Sequence, residues 1–402
     1  MRKSRKVLTI TAIGTLLSIL GIMAYQWTSH EPDRWFDSTW SAFQKNQLKT
    51  VREQIQRRVN DPNVRTECDF FEGALLLRQG RFYAALENFR RTPPRGRVRH
   101  AVLLLVGECQ YWLKNYPDAE QLFATLAADR PTDAEPHRWL GAVYFDIGLT
   151  GSAVFELEKA IELNPLDHRP HRLLASIFID VGRHEKAIQH YQAAIQLGPP
   201  DVPQNDIFEE LANALLKTNR FSDAIATAKS IKPPTAEAML IIAQACRQIG
   251  DFENSLDYLE HAFEIDKSNA RATLLKGKWL LETGNSADSL PLLAASTLRS
   301  PHDVEARYQY ARALLLEGQR DSHDEQLRLL KDSEALHKRY SQLHDRTWAN
   351  PDDVEAREEL AETTKLLGKP EVSQFWARAA QACRERRSRF GPETPENTVK
   401  KK

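Results

Sequence analysis

Small residues return at a fixed interval along almost the whole chain, and that interval constrains the fold more than any other feature. Gly73, Gly107, Gly141, Ala175, Ala212, Ala243, Gly277, Ala311 and Ala361 form one ladder, with steps of 34, 34, 34, 37, 31, 34, 34 and 50 residues. The steps of 37 and 31 together make two periods, so one loop is longer and the next shorter. Only the last step is an insertion, of 50 − 34 = 16 residues. A second ladder stands twelve residues on, at Ala85, Ala119, Ala153, Ala187, Ala224, Ser255, Ser289 and Ser373, with His323 replacing the small residue in the unit that carries the insertion. Gly80, Gly148, Gly182, Gly250, Gly284, Gly318 and Gly368 lie between the ladders. Pro131, Pro165, Pro301 and Pro351 each stand three residues before the next unit, and Pro199 closes its unit before the lengthened loop. A period of this size means stacked copies of one supersecondary unit.

Each period holds two antiparallel helices, A and B. Gly or Ala on the first ladder lets helix A approach helix B of its own unit. Ala or Ser on the second does the same from helix B. The glycine between them accepts a positive φ and ends helix A. The closing proline cannot continue helix B. Composition agrees, with only 17 Gly in 402 residues and an abundance of helix-forming Ala, Leu, Glu, Arg and Gln.

This pattern resembles the tetratricopeptide repeat. The clearest copy is residues 134–167, AEPHRWLGAVYFDIGLTGSAVFELEKAIELNPLD, with Leu140, Gly141, Tyr144, Gly148, Ala153, Ala160 and Pro165 on the family's signature positions. Residues 168–201 repeat it with Leu174, Ala175, Phe178, Gly182, Ala187, Tyr191, Ala194 and Pro199. The resemblance implies an all-α, right-handed superhelical solenoid held by nearest-neighbour contacts. It further implies a concave face lined by helix A, no catalytic machinery, and binding of segments of other proteins.

Units begin near 66, 100, 134, 168, 205, 236, 270, 304 and 354, within a solenoid over 66–390. Residues 28–65 read as a degenerate first helix pair, with Trp35 at the usual aromatic position, and 391–402 as a basic disordered tail. In the insertion, Leu327, Leu330, Ser333, Leu336, Tyr340 and Leu343 fall at helical spacing. They predict an extended helix over 324–348 that projects beyond its neighbours as a spacer.

Residues 1–6, MRKSRK, carry four basic side chains, and residues 7–27, VLTITAIGTLLSILGIMAYQW, carry no charge. About 20 helical residues cross a hydrocarbon core of about 30 Å, and Tyr25 and Trp27 would sit at the far interface. The expectation is a transmembrane signal anchor over 7–27 with the basic n-region cytoplasmic. The solenoid of this single-pass protein would then lie on the outer, periplasmic or extracytoplasmic side. A cleaved secretory signal is the second reading, although Ile22 is poorly suited to a cut after Ala24.

Lys plus Arg and Asp plus Glu both total 55, so net charge is zero and a dedicated nucleic-acid binder is disfavoured. His137, His168 and His171 could converge on zinc, but His137 and His171 occupy the family's packing-aromatic position. Packing histidines are therefore expected. Cys68, Cys109, Cys246 and Cys383 stand far apart and read as buried free thiols. Cys68 and Cys109 are seven residues out of alignment, roughly 10 Å along the helix, too far for a disulfide. The sequence holds no GxxxxGK[ST], GxGxxG or GxSxG motif.

Counting along helix A by the family pattern, the concave surface includes Phe70, Leu104, Glu108, Tyr111, Arg138, Phe145, Arg172, Ile179, Asn213, Leu240, Gln244, Leu274, Lys278, Tyr308 and Arg312, with Arg169 beside Arg172. Emphasis falls on the N-terminal half, because aromatic and Arg side chains dominate binding hot spots. An acidic, partly hydrophobic peptide would suit Arg138, Arg169 and Arg172. The carboxylate clamp of chaperone-binding relatives is rejected, since the pairs Arg138/Ala142, Arg172/Ser176 and Glu209/Asn213 lack its Lys/Asn combination.

The reading is a membrane-anchored, non-catalytic scaffold. A dedicated envelope or cytochrome c assembly factor is the second reading and an enzyme-associated docking domain the third. Expected partners are a protein or peptide in the groove and the membrane through 7–27. No nucleic acid, small-molecule substrate, metal or cofactor is expected.

Overall fold

The computed structural model describes residues 34–92, 98–198, 204–266, 268–350 and 352–390. Every regular element among them is helical. The chain forms two compact units, one ending at Leu122 and the other beginning at Phe123.

The first unit holds α1 (34–44), α2 (Leu48–Arg58), a 3-10 turn (Pro62–Val64), α3 (Arg65–Arg78), α4 (Phe82–Arg91), α5 (Val98–Trp112) and the start of α6 (Tyr116–Asp129). Its core is aromatic. Phe70 lies 5.0 Å from Phe71, 5.8 Å from Phe36, 5.7 Å from Trp40 and 5.9 Å from Phe89 between ring centroids. Such tilted and edge contacts add to the area each ring buries.

The second unit continues in pairs: α7 (Ala134–Asp146) with α8 (Thr150–Leu163), α9 (His168–Asp180) with α10 (His184–Leu197), and α11 (Asn205–Lys217) with α12 (Phe221–Lys229). Then come α13 (Ala236–Gln248) with α14 (Phe252–Ile265), α15 (Ala270–Glu282) with α16 (Ser286–Arg299), α17 (Val304–Leu316) with α18 (Arg320–Ala349), and α19 (Val354–Leu366) with α20 (Pro370–Phe390).

Local chemistry sets where the A helices begin and end. Asp133, Asp167, Asp303 and Asp353 stand at their N-caps, and their carboxylates accept the N–H of Glu135, Arg169, Ala306 and Ala356. At the other end Gly80, Gly148, Gly182, Gly250, Gly284, Gly318 and Gly368 all have positive φ. Where no glycine is available, Lys114 and Asn219 take the same left-handed turn.

The two ladders meet within each pair. A Cβ at Gly141 would fall 2.5 Å from Leu157, and one at Gly277 2.8 Å from Leu293, so helix B sits against a bare backbone. Ser255 donates to the carbonyl of Ala243 at 2.8 Å, and Ser373 to that of Ala361 at 2.8 Å, each across twelve residues. The exceptional His323 keeps the bond, with Nδ1 2.9 Å from the carbonyl of Ala311.

Two expectations are corrected. The single-pass membrane placement does not stand: among the described residues no helix is long and apolar enough to cross a membrane. The longest, α18, has 30 residues and carries Arg, Lys, Asp and Glu along its length. The segments 1–6 and 7–27 lie outside the described residues, as does the tail 391–402. Nor does the distal half of α18 project free. Leu343 is fully buried and clusters with Leu360, Ala379 and Trp376 of the following pair.

Candidate protein-binding face

Repeat arithmetic governs one polar contact in three of the pairs. There the fourth residue of helix A meets the residue nineteen positions on, in helix B. His137 Nδ1 lies 2.6 Å from Glu156, both buried. His171 Nδ1 lies 2.9 Å from Nδ1 of His190, and Arg307 donates to Gln326 at 2.8 Å. The histidines therefore serve pair packing, and among the described residues no group of three His, Cys, Asp or Glu could hold a metal ion. Burial first, then His171 and Lys186, pushes His190 down to about 4.

Neighbouring A helices are joined by charges one repeat apart. Arg169 pairs with Glu135, Arg172 with Asp206 and Arg271 with Glu237, each across 34 residues. Arg138 pairs with Glu135 at 2.7 Å and lies 4.3 Å over the Trp139 ring. Burial alone would raise the Glu135 carboxyl, but Arg138 and Arg169 hold it below its ordinary value.

These pairings redefine the expected groove. Arg138, Arg169 and Arg172 come together on α7 and α9, but each is engaged by a carboxylate: Arg138 by Glu135 of its own helix, and Arg169 and Arg172 as ties between repeats. Phe70, Leu104, Glu108, Leu240 and Leu274 are corrected from exposed lining to core: all are buried, because the stacking of the adjacent helices covers them, and Glu108 is paired there with Arg78. Tyr111 and Ile179 remain partly exposed. Phe145 is partly exposed too, but its ring lies 6.5 Å from Phe375 on α20.

A formed cleft of about 400 Å³ lies instead along α11, α13 and α15. Asn213, Gln244 and Lys278, positions counted to the concave face, line it. Lys217, Arg247, Arg271 and Trp279 also line it and were missed by the count along helix A. Arg271 reaches both Asn213 and Gln244, Lys278 bonds Glu305 at 2.7 Å, and Arg247 pairs with Glu282. Lys217 is exposed at the rim. The legible signal was charge at repeat spacing, as in Glu237 and Arg271.

The tetratricopeptide repeat family model matches residues 72–134 and 140–202, and a second tetratricopeptide repeat model matches 236–269. No curated protein matches the chain at a significant level. Among solved structures, MamA is 22% identical, with 43% of this chain and 95% of that one covered at a TM-score of 0.38. The Cut9 and Hcn1 hetero-tetramer of the APC/C is 16% identical, covering 66% and 52% at 0.47. Pseudomonas aeruginosa pilF is 13% identical, covering 61% and 97% at 0.38. Over the matched residues this chain is built of tetratricopeptide repeats.

Proposed function

We propose that the chain is a non-catalytic protein-binding scaffold that takes an acidic, partly apolar segment of a partner along its A-helix face. The observation that carries this reading is the cleft across α11, α13 and α15. There three successive A helices offer amides (Asn213, Gln244), cations (Lys217, Arg247, Arg271, Lys278) and one aromatic face (Trp279). Amides and cations hold a peptide's carboxylates and backbone, and Trp with Arg is the pairing that concentrates binding energy. The carboxylates of Glu237, Glu282 and Glu305 pre-position three of the cations, which lowers the ordering cost of binding.

A photo-crosslinking side chain at Gln244 tests it, with the same group at Gln189 on the exposed face of α10 as comparison. Adducts with a defined partner segment are expected at 244 alone, weakened by salt and lost in Lys217→Glu with Lys278→Glu. Identical adducts from both positions would move binding off this face.

A further inference from the structure

The last helix pair of the second unit places a charged residue in the register of those nineteen-residue contacts but no acceptor opposite it, and this has a consequence. Arg357 is the fourth residue of α19, the register of His137, His171 and Arg307. Nineteen positions on stands Trp376, whose indole can donate but not accept. Arg357 therefore has no acceptor on its own helix B. Its Nη1 bonds the carbonyl of Asp353 at 2.9 Å, and its Nη2 bonds the carbonyl of Gly148 at 2.8 Å, in the turn between α7 and α8. The missing partner is supplied from the other end of the unit.

The surrounding contacts follow that bond. A Cβ at Gly148 would lie 3.1 Å from Trp376 and 3.5 Å from Ala379, so α20 rests on the bare turn. Phe375 meets Phe145, and Arg183 stands 5.3 Å over the ring of Trp348. Tyr340 and Asp180 line one cleft across the joint.

The joint is also poorly satisfied. Arg357 is fully buried, its guanidinium rests on two carbonyls rather than a carboxylate, and its Nε has no hydrogen-bond partner. Burial disfavours the charged guanidinium, and the carboxylates of Asp353 and Asp352 offset this only through space, with no ion pair. A cleft of about 310 Å³ remains between Asp180–Arg183 and the Tyr340–Trp348 stretch of α18. Opening would rehydrate Arg357 at the loss of few contacts.

We infer that α19 and α20, with the distal half of α18, form an intramolecular clasp. It closes on the α7–α8 turn, opens as a unit, and in its closed state covers the Phe145 end of the A-helix face with the chain's own Phe375. This goes beyond the α11–α13–α15 cleft and does not depend on it.

Spin labels on Gly151→Cys and Glu371→Cys, both exposed, report the joint in the full chain, whose four native cysteines are buried. A short, narrow distance is expected with the clasp intact. Trp376→Gln gives Arg357 the in-pair acceptor that Gln326 gives Arg307, and should add a long, broad component several-fold above background. Phe145→Ala with Arg183→Ala weakens the joint from the opposite side and should do the same while leaving α19 and α20 untouched. Unchanged distances in either variant that keeps its helical circular dichroism would overturn the clasp. So would loss of helicity in both, because release should leave the repeats folded.

Discussion

Arg357 and Gly148 are 209 residues apart in sequence and share a buried hydrogen bond of 2.8 Å. The glycine serves two ends at once. Its φ of +72° terminates α7, and its missing side chain admits Trp376 and the guanidinium.

Gly148→Ala and Gly182→Ala separate those two roles. Both positions have φ of +72°, but a Cβ at Gly182 meets open space. Gly182→Ala should cost about 1 kcal/mol from left-handed backbone strain alone. Gly148→Ala should cost measurably more, because its Cβ would press on Trp376 and on Nε of Arg357. Urea midpoints of the two variants check the difference, and equal midpoints would mean the contact carries no stability.

Gly141→Leu should destabilise the α7–α8 pair by about 1–3 kcal/mol or more through overpacking, since even a Cβ there would fall 2.5 Å from Leu157. Gly151→Leu, where a Cβ meets nothing, should stay within about 0.5 kcal/mol of the parent. Thermal melting of the two decides whether the ladder of small residues marks the helix contact.

Stability should fall in mild acid. His190 titrates near 4 in the fold, against an ordinary value of 6.5. Between those values the unfolded chain binds the proton and the folded chain does not, so the unfolding free energy drops as pH falls through that window. Above the window His190 contributes no pH dependence. His190→Gln, the residue type that Arg307 meets in its own pair, should flatten part of the drop in urea titrations. A slope identical to the parent's would place the acid sensitivity elsewhere.

The thiols should be silent in the native protein. All four cysteines are buried, and burial pushes Cys68 up to about 11 and Cys109 up to about 12, with Cys246 and Cys383 also raised. A thiol-specific chromogenic reagent at neutral pH should find none of them until denaturant is added, when all four should react. Fast labelling of Cys383 alone would mean that α19 and α20 part from each other, because Cys383 packs with Val354 and Ala380 inside that pair.

Much of the fold was legible because its constraints are local and repeat. Positive φ at Gly80 or Gly318, the close approach at Gly141, and the Ser255 bond to Ala243 each need only residues inside one helix pair. The candidate site was less legible. Phe70 and Leu240 occupy helix A positions that the family pattern sends to the concave face, but whether such a residue is covered depends on the bulk its neighbours bring. Around Phe70 the rings of Phe36 and Trp40 bury it. Arg138 and Arg172 looked like open cations until their carboxylates, one of them a full repeat away, were in place.

The sequence by itself determined the period, the helix pairing and the register, because a small residue every 34 positions admits few ways for helices to approach. Only the tertiary structure decided which cations gather in a cleft and where Arg357 finds its acceptor. Those outcomes depend on how repeats stack over distance, and no single period contains that information. The sequence could show that Trp376 leaves Arg357 without a partner in its own pair. That the partner is Gly148 follows from the return of the C-terminal pair onto the first pair of the same unit.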